Sequence, residues 1–220
     1  MKPQDVQYKA LIIDDTDIGL NKPPINIKVL TRILEKKSCF VEFVFHQFKS
    51  VDVLNDYLSQ NPEYDLILFD ILLESSDNDT ECSSLLESLT NYRKMNRLSK
   101  IILFSSLVDE DKLKGLDIQI HGSLLLRWIN EYRVNGICPR NEEHVSEIIC
   151  KCIQEIDPIT LNLVSILHTY QNSQQKIYIS GVFYSTSELI MQIRAQSDVG
   201  QDFVASLTRM MIAQYTEPEA

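Results

Sequence analysis

The sequence predicts an α/β protein. A doubly wound, five-stranded parallel sheet of order 2-1-3-4-5 is expected, followed by a small, mainly helical C-terminal module. The first supporting observation is that short apolar runs at 10–13, 66–69 and 101–104 alternate with stretches of helical periodicity. Apolar runs of this length are typical of strands buried in a parallel sheet. The second is that right-handed crossovers leave few arrangements of five strands, of which this order is the commonest.

Five strands are predicted, each from a run of apolar, aromatic or β-branched residues. The first, third and fourth contain the three apolar runs, the second alternates aromatic with β-branched residues, and the fifth is short. The predicted ranges are 8–13, 40–46, 65–69, 100–105 and 136–138.

Apolar residues at helical spacing predict a helix after each strand. Pro23-Pro24 is expected to open the first helix, which covers 25–37, because proline is tolerated in a first helical turn. Ser50 is expected to cap the second helix. The third follows a polar, acidic loop at 74–81, and the last two cover 123–134 and 142–156.

Asp157-Pro158 predicts a boundary between residues 1–157 and 158–220, because a residue before proline is biased away from helix. Beyond it we expect a helix, a strand or hairpin around Gly181, a helix that begins at a capping box in 185–188, and a last helix. A segment of roughly 60 residues buries little apolar surface, so it is expected to lean on the first domain or on a partner.

Composition excludes several classes of protein. The net charge is −10 and no basic stripe is present, which argues against binding to a nucleic-acid backbone. The sequence contains no run of 18 apolar residues, the length needed to span a membrane. The first residues also lack the apolar stretch of a signal peptide, so a cytoplasmic protein is expected. The five cysteines include no Cys-x-x-Cys, so reduced thiols are expected rather than a disulfide framework or a zinc site.

Acidic and hydroxyl residues follow the predicted strands at the edge where an open α/β sheet binds its ligands. Asp14 and Asp15 follow the first strand, Asp70 the third and Ser105 the fourth. Carboxylates held close together repel one another unless a cation neutralises them, and Mg²⁺ accepts carboxylate oxygens together with a phosphate. The sequence therefore predicts that Asp14 and Asp15 hold Mg²⁺ beside Asp70, a nucleophile that would form an aspartyl phosphate. Ser105 would donate a hydrogen bond to the phosphoryl oxygens, and Arg140 would supply a cation.

These motifs resemble those of the receiver domain of bacterial response regulators. Residues 11–15 resemble the acid-pair motif of that family, residues 65–71 its phosphoacceptor strand and residues 102–106 its hydroxyl motif. Residues 136–140 stand where the family has glycine, an aromatic residue and then lysine. The resemblance covers about residues 6–156.

The resemblance implies a role in two-component signalling, or in a phosphorelay. A histidine kinase or phosphotransfer protein would donate the phosphoryl group to Asp70, and phosphorylation would shift the face formed by the fourth and fifth strands. Asp70 and the backbone carbonyl of Leu72 would join the Mg²⁺ ligands. The chain is then not expected to be an enzyme beyond forming and losing its own aspartyl phosphate. Residues 158–220 would bind a protein partner.

Two alternatives are left open. Arg140 replaces the lysine of the family and Ile137 its aromatic residue, which favours a pseudo-receiver, a non-phosphorylated interaction scaffold with the same fold. Arg127 is a second candidate for the cation. The other alternative is a phosphatase of the haloacid dehalogenase type, because Asp15-Thr16-Asp17 is an Asp-x-Asp motif after a strand. No matching downstream lysine and acidic pair follows, and Asp70 would have no role in it.

Overall fold

The computed structural model describes residues 7–14, 25–47, 51–61, 63–70, 78–105, 126, 128–171 and 176–216. For residues 14, 47, 51, 70, 78–86, 105, 215 and 216 it describes the backbone alone. Contacts divide the chain into two compact units. The first unit is Met1–Arg93 with Ser99–Glu155, and the second is Lys94–Leu98 with Ile156–Ala220.

The first unit is built on a five-stranded sheet in which every pair of neighbours is parallel. Its strands are hydrogen-bonded in the order β2-β1-β3-β4-β5, which confirms the predicted fold class and strand order. The strands are β1 (Gln7–Asp14), β2 (Phe40–Gln47), β3 (Leu66–Asp70), β4 (Lys100–Ser105) and β5 (Gly136–Pro139).

Both faces of this sheet are buried, which explains why its central strands are continuously apolar. Successive side chains of a strand point to opposite faces, so each apolar run contributes to two cores. One core contains Leu11, Ile13, Ile67, Phe69, Ile101 and Leu103 together with Trp128 and Tyr92. The other contains Ala10, Ile12, Leu66, Leu68, Ile102 and Phe104 together with Val145 and Ile149. Full burial of one such aliphatic or aromatic side chain is worth roughly 1.5–3 kcal/mol.

The backbone is described along the whole length of four helices that begin in the first unit: α1 (Ile27–Lys36), α2 (Val51–Gln60), α3 (Asn78–Met95) and α4 (Glu142–Gln154). The prediction that Pro23-Pro24 opens α1 is wrong, because the side chain of Asn26 caps the helix by accepting the N–H of Val29. Both prolines lie outside the described residues. The third helix begins at Asn78, inside the stretch predicted to be a loop.

The fourth predicted helix is described only at its end, where residues 126 and 128–130 are helical. The prediction extended it to residue 134, but Arg133 has a φ of +51°, in the left-handed region that ends a helix. Trp128 in this segment is fully buried, so the helix end is held by the core it packs into.

The second unit combines helices with one hairpin. Its elements are α5 (Pro158–Thr169), β6 (Lys176–Ile179), β7 (Val182–Ser185), α6 (Thr186–Arg194) and α7 (Asp198–Thr216). Ser180 and Gly181 form the two-residue turn of the hairpin with φ values of +48° and +90°, a conformation that glycine adopts without strain. A core of five buried side chains joins α5 to α6: Val164, Leu167, Leu189, Ile190 and Ile193.

Helix α4 ends at Gln154 and helix α5 begins at Pro158. Asp157 is extended and caps α5, because its carboxylate accepts the N–H groups of Ile159 and Thr160. The predicted capping box of α6 is also present, between Ser185 and Glu188. Among the described residues, none of the helices has the length and apolar character needed to cross a bilayer.

Candidate functional site

The carboxyl ends of the strands bring four of the predicted site residues to one edge of the sheet. Asp14, Asp70 and Ser105 are the last residues of β1, β3 and β4. Arg140 directly follows Pro139, the last residue of β5. Because all five strands are parallel, these backbone positions share the edge at which open α/β sheets bind their ligands.

The register places Asp14 and Asp70 level with each other on neighbouring strands. Ile13 of β1 pairs with Phe69 of β3, and each aspartate is the next residue in its strand. Neighbouring strands lie about 4.8 Å apart, so the two backbones are close enough for their carboxylates to share one ion. After β1 the chain forms β2 on one side of it and then β3 on the other side, so these positions flank the point where the strand order reverses.

The hydroxyl and the cation follow in order along the same edge. Asp70 pairs with Phe104, so Ser105 lies one residue beyond it on the next strand. Ser105 in turn pairs with Pro139, which leaves Arg140 one residue further along β5. Two strand spacings of about 4.8 Å and an offset of two residues at about 3.3 Å each put the backbones of Asp70 and Arg140 roughly 12 Å apart, a span that the aspartate and arginine side chains would have to cover together.

The metal ligands themselves stay predictions. Asp15, Leu72 and Arg127 lie outside the described residues, and only the backbones of Asp14 and Asp70 are described. Among the side chains that are described, no three His, Cys, Asp or Glu residues form a group that could hold a metal ion.

Arg140 stands in a short turn that joins β5 to α4. The N–H of Asn141 donates to the carbonyl of Pro139 at 2.8 Å. The side chain of Asn141 caps α4 by accepting the N–H groups of Glu143 and His144. Arg140 is half-buried in this turn, between two residues, Pro139 and Asn141, that a hydrogen bond joins.

A long-range hydrogen bond joins Asn26, the residue before α1, to the start of α4 beside this turn. The N–H of Asn26 donates to Oε1 of Glu142 at 2.9 Å, and Glu142 is the first residue of α4. Asn26 also caps α1, so the amino ends of α1 and α4 are tied together near the candidate site. Sequence reasoning missed this contact because the two residues are 116 positions apart and carry no local pattern.

The residue that replaces the aromatic of the receiver pattern has a packing role. Ile137 of β5 pairs with Leu103 of β4 and is half-buried against the core that contains Trp128. An aliphatic side chain packed there fills space in the core but has no polar end to offer the site. This arrangement is the observation that favours the pseudo-receiver alternative.

His46 is the last but one residue of β2, near the same edge, and no sequence pattern assigned it a role. It pairs with Ile13 across β1 and β2 and stacks on the ring of Tyr57, with 4.1 Å between the ring centroids. The hydroxyl of Tyr57 lies 2.5 Å from that of Tyr64, and burial is the main cause that raises the pKa of Tyr64. His46 is therefore part of an aromatic stack that links β2, α2 and the chain before β3.

One described pocket lies at the opposite edge of the sheet. It has a volume of about 220 Å³ and is lined by Lys9, Gln60, Asn61, Glu63 and Tyr64. These residues lie near the amino ends of β1 and β3, away from the acids, and we assign them no chemistry.

No family model matches the chain, and no curated protein matches it. Three solved structures are similar in fold. A pilus assembly-related protein from Burkholderia pseudomallei is 9% identical with a TM-score of 0.42, and the match covers 71% of this chain and 96% of that one. The P1 domain of CheA3 in complex with CheY6 from R. sphaeroides is 17% identical with a TM-score of 0.37, and the match covers 68% of this chain and 95% of that one.

The third is the BeF3-activated receiver domain of DrrB, at 15% identity and a TM-score of 0.38, with 68% of this chain and 99% of that one covered. All three TM-scores are below 0.5. The fold assignment therefore rests on the strand order and register described above.

Proposed function

We propose that the chain is a receiver-like signalling protein that accepts a phosphoryl group on Asp70 with the help of Mg²⁺. Asp14, Asp15, Asp70 and the carbonyl of Leu72 would bind the ion. The observation that supports this proposal is the register, in which Asp14 and Asp70 are level on the two strands where the strand order reverses.

The chemistry follows from the residue types. A carboxylate oxygen of Asp70 attacks the phosphorus of the donor, a P–O or P–N bond to the leaving group breaks, and an aspartyl phosphate forms. The ion would neutralise charge on the carboxylates and on the incoming phosphoryl group. Ser105 would donate a hydrogen bond to a phosphoryl oxygen, and Arg140 would pair with another.

A histidine kinase or a histidine-containing phosphotransfer protein would be the donor. Output would pass through a protein partner of residues 158–220. A protein is favoured over a nucleic acid because this segment carries three basic residues against five acidic ones. It also exposes aromatic surface, since Tyr178 and Phe183 of the hairpin are each 63% exposed.

The direct test is labelling by acetyl phosphate, a small donor that needs no cognate kinase. With Mg²⁺ we expect the wild-type chain to gain the mass of one phosphoryl group, and we expect chelation of the ion to prevent the gain. Asp70→Asn should abolish labelling. The matched control is Asp56→Asn, the same substitution on an exposed position of α2, which should label like the wild type.

Two results would overturn the proposal. One is a wild-type chain that gains no phosphoryl group although Mg²⁺ is present. The other is equal labelling of Asp70→Asn, which would place the modification elsewhere.

The second candidate is the pseudo-receiver, which is favoured by the packing of Ile137 and by Arg140 in the lysine position. It predicts that beryllofluoride, a phosphoryl mimic, leaves the amide NMR spectrum of the chain unchanged in the presence of Mg²⁺. The phosphoacceptor proposal predicts shifts for the amides at the ends of β1, β3 and β4. Shifts confined to those strand ends would exclude the scaffold, and an unmoved spectrum would favour it.

A further inference from the structure

Two thiols of the first unit face each other across a long stretch of sequence. Cys39 lies just before β2 and Cys150 lies in α4, 111 positions apart, yet their Sγ atoms are 3.1 Å apart. Both are free thiols and both are half-buried. Cys138 and Cys152, the other cysteines whose side chains are described, are fully buried.

The backbone on the Cys39 side is held in place. The N–H of Cys39 donates to the carbonyl of Leu34 at 2.9 Å, and the N–H of Ser38 donates to the carbonyl of Glu35 at 3.0 Å. Ser38 has a φ of +58°, so a tight turn fixes the direction in which the chain leaves α1. Cys39 is thus presented by a turn with a defined shape.

Contacts between that turn and α4 hold the two sulfur atoms opposite each other. Nζ of Lys37 donates to Oγ of Ser146 at 2.9 Å and lies 3.5 Å from Oε1 of Glu143. Ser146 is four residues before Cys150, on the same side of α4. A disulfide has an S–S distance of about 2.05 Å, so the two sulfur atoms would need to approach by roughly 1 Å.

We propose that Cys39 and Cys150 are a site of reversible thiol–disulfide modification, at which a small disulfide such as oxidised glutathione closes a bond between them. The bond would fasten the start of β2 to α4. This inference is independent of the phosphoryl chemistry proposed above, since neither cysteine belongs to that site.

The exchange proceeds in two balanced steps. The thiolate of one cysteine attacks a sulfur of oxidised glutathione, which forms a mixed disulfide and releases one glutathione thiolate that takes up a proton. The thiolate of the other cysteine then attacks the protein sulfur of the mixed disulfide and releases the second glutathione. Two protein thiols are oxidised, and one glutathione disulfide is reduced to two thiols.

The groups around Cys150 set the pH at which its thiol becomes a reactive thiolate. Burial raises the pKa of the Cys150 thiol, the hydrogen bond with Cys39 raises it further, and the ammonium group of Lys37 opposes both. The thiol form therefore dominates at neutral pH. Because the thiolate is the attacking species, the reaction is best carried out at mildly alkaline pH.

The test uses the full chain, reduced and then incubated with oxidised glutathione. After unfolding and alkylation, mass spectrometry should show a chain that has lost two of its five alkylatable thiols and carries no glutathione. Digestion should yield one linked peptide pair that joins Cys39 to Cys150. The oxidised chain should also unfold at a higher denaturant concentration than the reduced one, because a long loop is closed in the unfolded state.

Single variants separate this pairing from other oxidation. In Cys39→Ser and in Cys150→Ser the second step has no attacking thiol, so each should keep one bound glutathione and form no linked pair. Cys82→Ser is the control and should form the same link as the wild type. The inference is overturned if the link in the wild type joins other cysteines, or if Cys39 and Cys150 each keep a bound glutathione. It is also overturned if neither thiol reacts and the treated chain unfolds at the same denaturant concentration as the reduced chain.

Discussion

Arg140 is the residue at which the candidate site departs most from the receiver pattern. A guanidinium is a planar, delocalised cation, whereas the ammonium group of lysine is compact, so the two do not present their hydrogen bonds in the same geometry. Arg140 lies in the turn between β5 and α4, and its backbone is roughly 12 Å from that of Asp70. In the proposed site, the long side chain of Arg140 supplies the positive charge.

We predict that Arg140→Ala slows labelling of Asp70 by acetyl phosphate by about 10- to 100-fold. The reason is that a hydrogen bond to a charged group is worth roughly 1.5–3 kcal/mol and each 1.4 kcal/mol corresponds to a factor of ten. Arg140→Lys keeps the charge and should retain more activity than the alanine variant. Labelling rates, measured by mass spectrometry as the phosphorylated chain appears, test this prediction. If Arg140→Ala is labelled as fast as the wild type, Arg140 takes no part in the site.

Gly200 is required by close packing between two helices of the second unit. A Cβ atom at this position would lie 2.3 Å from the carbonyl oxygen of Gln192 and 2.8 Å from Cα of Ile193. Both contacts are to backbone atoms, which cannot rotate away as a side chain could.

Gly200→Ala is therefore expected to lower the free energy of unfolding by about 1–3 kcal/mol or more. Ser206→Ala is the control, because it also introduces an alanine into this helix, but at an exposed position, and should alter stability by less than about 0.5 kcal/mol. Urea denaturation followed by circular dichroism measures both. A Gly200→Ala chain as stable as the Ser206→Ala chain would show that α6 and α7 do not approach so closely.

At the scale of the elements, helix α6 shows how a local pattern sets a boundary. Oε2 of Glu188 accepts the backbone N–H of Ser185 at 2.7 Å and its hydroxyl at 2.8 Å, and Oγ of Ser185 accepts the N–H of Glu188 at 3.2 Å. These hydrogen bonds, first that from the backbone and then that from the hydroxyl, lower the pKa of Glu188 from its ordinary value of 4.5.

The sign of the pH dependence follows from this shift. A carboxyl group with a lowered pKa in the folded state stabilises the fold above its unfolded pKa, and that stability is lost as the pH falls through the folded value. We predict that the unfolding midpoint of the wild type exceeds that of Glu188→Gln at neutral pH, and that the gap closes below pH 4.5.

Ser185→Ala provides the control, because it removes the hydroxyl group that takes part in two of the three hydrogen bonds of the capping box. In the Ser185→Ala background, the Glu188→Gln substitution should lower the unfolding midpoint by less at neutral pH than it does in the wild type. A gap that is the same at every pH would mean that the carboxylate charge has no part in the cap.

At the scale of the whole molecule, the sheet was predictable because burial on both faces gives β1, β3 and β4 each an uninterrupted run of four apolar residues. The same runs fix which residues end the strands, so the arrangement of Asp14, Asp70, Ser105 and Arg140 along one edge followed from the sequence. The capping box of α6 was predictable for a similar reason, since its residues are three positions apart.

What could not be predicted depends on contacts between distant residues. The predicted start of α1 was wrong because Asn26, and not a proline, caps the helix. The backbone N–H of Asn26 donates to Glu142, which is 116 positions away in the sequence. The stack of His46 on Tyr57 joins a strand to a helix, and the approach of Cys39 to Cys150 spans 111 positions. None of these pairs has a spacing that a helix or strand period could reveal.

The central claim is that aspartates from the ends of β1 and β3 share one divalent cation, and calorimetric titration of the full chain with Mg²⁺ tests it most directly. The account predicts that the wild type and Asp56→Asn bind one ion per chain, whereas Asp15→Asn and Asp70→Asn show no measurable binding. A wild-type chain that binds no Mg²⁺, or acid-site variants that bind it as the wild type does, would contradict the claim.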